Sequence, residues 1–175
     1  VTGASRGIGR AIAIELASAG YDIVVNFVSQ AEAAEETAGI IREEGGECLV
    51  EQVDVTEAGQ VSAVVQKCVE TWGQLDILHN NVGIVEVGGP VEASEESWDR
   101  VMDVNLKSMF LTCKHTLPYM EQQGGGAIVN ISSVVGIRYL GVPYISYSAS
   151  KAAILQFTQS LAVQYAEKNI RANTI

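Results

Sequence analysis

Apolar positions along this chain fall into two alternating periods. Ile8, Ala11, Ile12 and Leu16 recur at helical spacing within residues 8–19, and Gly20 follows as a stop. Residues 22–28 then read as a strand. The pattern predicts a second helix over 31–44, closed by Gly45 and Gly46, and a strand over 48–55. A helix over 57–72 precedes a strand over 75–80. A longer helix over 94–122 runs to the glycine break at 124–126, and Pro118 inside it is expected to kink it or end it early. Residues 127–132 are a short apolar run suited to a buried strand. A loop holding Gly136, Gly141 and Pro143 leads to a helix that carries Tyr147 and Lys151 and extends to residue 168, and 170–175 resembles one more strand.

Repeated strand-helix alternation calls for a doubly wound parallel sheet with helices on both faces, an α/β domain without internal boundary. Both ends look cut. Thr2 begins where a loop should leave a first, central strand, and the chain stops inside a later one, so residues 1–175 read as one domain truncated at both ends. A sheet without its central strand leaves buried backbone groups unpaired.

Composition narrows the class. The 175 residues are 47% hydrophobic and 18% charged, a globular balance, and the net charge of −10 argues against a nucleic-acid surface, which needs clustered Lys and Arg. Acidic clusters at Glu32, Glu35, Glu36, Glu43 and Glu44 and over 92–99 read as solvated helix faces. Cys48, Cys68 and Cys113 are odd in number and far apart, which suggests a reducing compartment. His79 and His115 lack partners at metal-ligand spacing, so no metal is expected. No apolar stretch approaches the ~20 residues of a membrane span, and the expected location is cytoplasmic.

Two motifs carry chemistry. The run Thr2-Gly-Ala-Ser-Arg-Gly-Ile-Gly9 places glycines before an amphipathic helix, where they permit a tight turn and close approach of a pyrophosphate to free N–H groups at the helix start. Its spacing differs from Gly-x-Gly-x-x-Gly. Tyr147 and Lys151 lie four residues apart on one helix face, so a cation can sit beneath the phenol and favour its ionised form.

These motifs, with Asp54-Val55, Asn80-Asn-Val-Gly83, Asn105 and Ser133 in the same order, resemble the short-chain dehydrogenase/reductase family of NAD(P)-binding Rossmann-fold oxidoreductases, and the resemblance spans nearly the whole chain. It implies Tyr147 as catalytic acid/base, Lys151 as its activator and a ligand of the nicotinamide ribose, and Ser133 as hydrogen-bond partner of the substrate oxygen. Ser132 is the alternative for that last role. Asn105 would hold a water in a proton relay. Gly3, Ser5, Arg6, Gly7, Ile8 and Gly9 would bind the cofactor with Asn81 and Gly83, while Asp54 would meet the adenine amino group and Val55 its ring. Val82 stands where the family usually has Ala, which adds methyl groups near the cofactor.

An acidic side chain at the end of the second strand would accept hydrogen bonds from ribose hydroxyls. The run 25–29 offers none, while Arg6 and Ser29 suit a 2′-phosphate, so NADP(H) is favoured over NAD(H). The expected function is hydride transfer between NADP(H) and a ketone or secondary alcohol, as in a carbonyl reductase or alcohol dehydrogenase. A hydrolase built on Ser, Tyr and Lys would lack a Gly-x-Ser-x-Gly elbow. A non-catalytic nucleotide-sensing or scaffold protein would have no need of Ser133, Tyr147 and Lys151 together. The resemblance also implies a homotetramer or homodimer. Residues 85–91 and 137–144 border the substrate side, where Tyr139, Leu140 and Tyr144 fit an apolar substrate or simple packing equally well. Segments expected beyond residue 175 would close the pocket, so turnover is not expected from these residues alone.

Overall fold

β-Branched Ile23, Val24 and Val25 open β1 (Ile23–Phe27), which pairs in parallel with β2 (Cys48–Gln52), Val25 opposite Val50. The computed structural model describes residues 1–175. β3 (Ile77–Asn80), β4 (Gly126–Asn130) and β5 (Ile170–Thr174) form a second parallel ladder in that order. Val1 and Thr2 join the two ladders. The Val1 amino group donates to the Val24 carbonyl at 3.1 Å, Asn26 N–H donates to the Val1 carbonyl at 3.4 Å, and Thr2 N–H donates to the His79 carbonyl at 3.0 Å. The lane expected for a central strand is thus occupied by two residues. Alongside them an apolar cavity of about 420 Å³ lies between β1 and β3, lined by Val24, Val53, Val61, Val65, Cys68 and Leu78 among others.

Helices cover both faces, as a doubly wound sheet requires. α1 (Gly7–Ser18) and α2 (Ala31–Glu43) pack together and on β1, burying Ala13, Val25, Ala34 and Ile41 in one cluster. α3 (Ala58–Trp72) packs on α5 (Ser108–Gln123), which lies on β3 and β4, while α6 (Ile145–Tyr165) lies on β5. Their core joins Leu78, Leu117, Met120, Ile128, Leu161 and Ile170. Polar side chains run through this half. Asn80 donates to Asn130 at 2.9 Å and accepts from Thr112 at 2.8 Å, and Asn130 donates to Thr158 on α6 at 2.9 Å. Because each group is paired in low dielectric, the chain fixes α5 and α6 on the strands more specifically than apolar contact alone.

The long helix differs from expectation in where it is disturbed. α4 (Glu95–Met102) continues through a π-helical turn at Asp103–Lys107 into α5, which passes Pro118 and ends at the left-handed Gly124. The irregularity falls at Asn105, well before the proline. No helix is long and apolar enough to cross a membrane.

His79 on β3 is buried, and burial pushes its imidazole down to about 4. Between pH 6.5 and about 4 the unfolded chain binds this proton and the folded chain does not, so stability is lost as pH falls through that window. His79→Leu should remove up to about 3 kcal/mol of the acid loss, read as the difference between variant and parent in urea unfolding at pH 7 and pH 4.5. Equal acid losses in the two proteins would contradict this.

Candidate active site

The glycine-rich loop folds back on β1 and on the end of β3. Gly3 and Gly7 hold φ of 63° and 57°, in the left-handed region that favours glycine. Gly9 has a different reason to be glycine: a Cβ there would lie 2.2 Å from the Gly3 carbonyl oxygen and 2.8 Å from Asn81 Nδ2. Asn81 donates from Nδ2 to the Thr2 carbonyl at 3.2 Å and from its N–H to Thr2 Oγ1 at 2.9 Å. Asn26 completes the anchorage, accepting Gly3 N–H on Oδ1 at 3.1 Å and donating to the Val53 carbonyl at 2.9 Å. Asn26 was not a candidate in the sequence, where it counts only as the absence of a carboxylate. An asparagine inside an apolar strand is the signal that could have revealed it.

Arg6 is exposed and extended as the N-cap of α1, and no side chain caps that helix start. Its first N–H groups are therefore available to an anion. Ile8 and Ser29 are exposed, and Ser5 is buried. Phe27 ends β1 with no carboxylate beside it. The Asp54 carboxylate accepts Thr56 N–H at 2.9 Å and Thr56 Oγ1 at 2.7 Å, which makes it the keystone of its own turn. Val55 is buried with Val53 and Val61, and Val82 packs against the same cluster while its Cγ2 methyl lies 3.1 Å from where a Cβ of Gly3 would be.

At the other end, the π-turn delivers Asn105 into a fully buried position. Its carboxamide accepts Ile84 N–H at 2.7 Å, donates to the Ile84 carbonyl at 2.9 Å and donates to Ser150 Oγ at 3.1 Å. Both ends of the side chain are thereby occupied. Gly83 lies beside it, and a Cβ there would sit 3.4 Å from both Asn105 Oδ1 and Lys151 Nζ.

The segment after β4 is pressed onto α6. Ser132 Oγ donates to the Lys151 carbonyl at 2.7 Å, Lys151 Nζ donates to the Ile131 carbonyl at 2.7 Å, and a Cβ on Gly136 would lie 2.8 Å from the Lys151 carbonyl carbon. The buried Ser132 is thus committed to structure. Ser133 is less buried, and its Oγ accepts Val135 N–H at 3.4 Å, which leaves its own proton free to donate. Lys151 is 2% exposed, and burial lowers its ammonium to about 8. Its Nζ lies 5.6 Å from the centre of the Tyr147 ring, and Tyr144 meets that ring edge-on at 6.1 Å. Gly88 bonds to Pro143 and Ile145, so the segments after β3 and before α6 are joined there, and Val85, Val87, Ile137, Tyr139 and Leu140 on them are exposed.

The whole chain, residues 1–175, matches the short chain dehydrogenase family. It is 44% identical over 176 residues to an uncharacterized oxidoreductase of Thermotoga maritima, covering 100% of this chain and 68% of that protein. It is 40% identical to the 3-oxoacyl-[acyl-carrier-protein] reductase FabG of Staphylococcus aureus, covering 100% of this chain and 71% of that protein. A 3-ketoacyl-ACP reductase from Sinorhizobium meliloti 1021 has the same fold with a TM-score of 0.95 at 35% identity, over 99% of this chain and 69% of that one. The chain belongs to the short-chain dehydrogenase/reductase family and is an oxidoreductase of that type.

The two glycine requirements separate experimentally. Gly7→Ala meets nothing within 4 Å and suffers only its left-handed backbone, about 1 kcal/mol, whereas Gly9→Ala must displace backbone and should cost about 3 kcal/mol in urea unfolding. Equal costs would show that the loop does not rest on this close approach.

Proposed function

We propose that this short-chain dehydrogenase/reductase transfers hydride between NADP(H) and a ketone or secondary alcohol, with a 3-oxoacyl thioester as the leading substrate class. The observation that carries the reading is Lys151: a nearly buried ammonium with one carbonyl partner at 2.7 Å, its Nζ 5.6 Å from the Tyr147 ring centre and 3.4 Å from where a Cβ of Gly83 would be. A buried ammonium has three donors to satisfy, and a ribose hydroxyl suits those left free. The residues present fit a dinucleotide along the same cleft. The left-handed Gly3 and Gly7 and the uncapped start of α1 suit a pyrophosphate, and Arg6 with Ser29 suits a 2′-phosphate.

When bound, the nicotinamide supplies or accepts the hydride. Tyr147 gives the proton to the carbonyl oxygen in reduction and takes it back in oxidation, with the Lys151 cation stabilising the phenolate. Ser133 donates to the same oxygen as charge develops on it, a role for which Ser132 has no free hydroxyl proton. Asn105 holds the π-turn against Ile84, and Oδ1, which accepts only the Ile84 N–H, keeps a lone pair for a water on the way to Lys151. Asp54 meets the adenine edge through the carboxylate oxygen not used by Thr56, and Val55 supports it from the core. The exposed apolar side chains of Val85, Val87, Ile137, Tyr139 and Leu140 and the FabG-type relatives together favour a carbonyl with an apolar flank. The likeness to these reductases also supports a homo-oligomeric assembly.

Oxidation of NADPH and NADH by the full-length natural protein, against 3-oxoacyl thioesters, simple ketones and quinones, tests the reading. NADPH-dependent turnover should fall by about 10²- to 10⁴-fold in Tyr147→Phe with cofactor binding retained. Cofactor binding without Tyr147-dependent turnover would overturn the catalytic reading in favour of a nucleotide sensor. Because the Lys151 cation is lost as pH rises through about 8, kcat/KM for reduction should fall above that pH, and Lys151→Arg, charged throughout, should move this limb upward. An unmoved limb would assign it to another group.

A further inference from the structure

The geometry points to Arg10 and Thr37 as positioning residues that set the discrimination between NADPH and NADH, an inference that rests on the cofactor reading above. Neither residue would touch the cofactor itself. Arg10, on α1, donates to the Ser5 carbonyl from Nε at 3.1 Å and from Nη2 at 2.8 Å, and the fully buried Thr37, on α2, holds Oγ1 3.2 Å from the same oxygen and 3.0 Å from the Ala33 carbonyl of its own helix, its one hydroxyl proton shared between the two. One carbonyl of the glycine-rich loop therefore faces three donor atoms. The donors are themselves tied down: Arg10 Nε also donates to Thr37 Oγ1 at 2.9 Å, and Nη2 also reaches the Ala33 carbonyl at 3.0 Å and Glu36 at 3.1 Å. Glu36 stays on the solvated helix face expected of its acidic cluster and accepts from Arg10 there.

The consequence for Arg6 follows from peptide geometry. In a trans peptide the C=O of one residue and the N–H of the next point in opposite directions. With the Ser5 carbonyl drawn into the clamp between α1 and α2, the Arg6 N–H is aimed away from it, and the Arg6 side chain is exposed as the extended N-cap of α1. Through Ala33, Glu36 and Thr37 the same clamp fixes the loop against α2, whose start follows directly on Ser29 and Gln30. The clamp therefore sets both the direction of Arg6 and its separation from Ser29, the two groups proposed for a 2′-phosphate. A dinucleotide without that phosphate does not use this arrangement.

Dissociation constants for NADPH and NADH, read by quenching of intrinsic protein fluorescence in the full-length natural protein, test the inference without reference to turnover. Thr37→Val and Arg10→Lys should each weaken NADPH by about ten-fold and NADH by no more than about two-fold, while Thr37→Ser restores the parent values. In Arg6→Ala the Thr37→Val change should produce no additional selective loss, because the clamp acts through Arg6. If Arg6→Ala itself fails to weaken NADPH selectively, the cofactor reading at this end fails. If Arg6→Ala is selective but Thr37→Val weakens both cofactors equally, or neither, the clamp is structural only and the inference is overturned. Should Arg10→Lys not fold, the Thr37 pair decides the question.

Discussion

A buried ammonium with a single carbonyl partner organises the candidate active site of this molecule. Desolvating a lysine costs several kcal/mol, and here the cost appears as a conjugate acid lowered to about 8. The fold tolerates it because the Ile131 carbonyl at the end of β4 is aimed at Nζ, and because Ser132 and Gly136 hold that segment flat on α6. A side chain at Gly136 would lift the segment, part Lys151 from its acceptor and carry Ser133 out of place. The absence of one Cβ thus couples a strand end, a turn and a helix into one site.

The glycine-rich loop is built on the same principle with different groups. Around the glycine-rich loop, backbone carbonyls and N–H groups that sheet pairing leaves over are taken by side chains: Asn26 on Gly3, Asn81 on Thr2, Arg10 and Thr37 on Ser5. Buried polar backbone must be satisfied, and doing so with side chains from β1, α1, α2 and the end of β3 leaves the loop one conformation. What stays open is the exposed Arg6 and the uncapped first turn of α1.

Most of the fold was legible because periodicity reports burial directly. The strands at Ile23–Phe27 and Ile77–Asn80 and the helix at Ala31–Glu43 fall within a few residues of the sequence reading. The π-turn at Asn105 was not legible, since one extra residue in a helical turn leaves no mark in the hydrophobic pattern, while Pro118, a conspicuous breaker, sits in α5 without ending it. Within the candidate site, the closeness of Tyr147 and Lys151 was legible in their spacing, and Nζ lies 5.6 Å from the ring centre. Arg10, Asn26 and Thr37 were not legible, because their role is to bond backbone atoms of residues 5 to 32 positions away, a relation no local pattern records. The difference between Ser132, whose hydroxyl is spent on the Lys151 carbonyl, and Ser133, whose hydroxyl keeps its proton, likewise needed the third dimension.

The most direct test of the central claim, one cleft running from Arg6 to Lys151, is a crystal structure of the full-length natural protein with NADP⁺. The account predicts the pyrophosphate over the start of α1, the 2′-phosphate against Arg6, and the nicotinamide ribose in hydrogen-bond contact with Lys151 and Tyr147. A dinucleotide bound with its phosphate end away from Arg6, or with its ribose out of reach of Lys151, would contradict it.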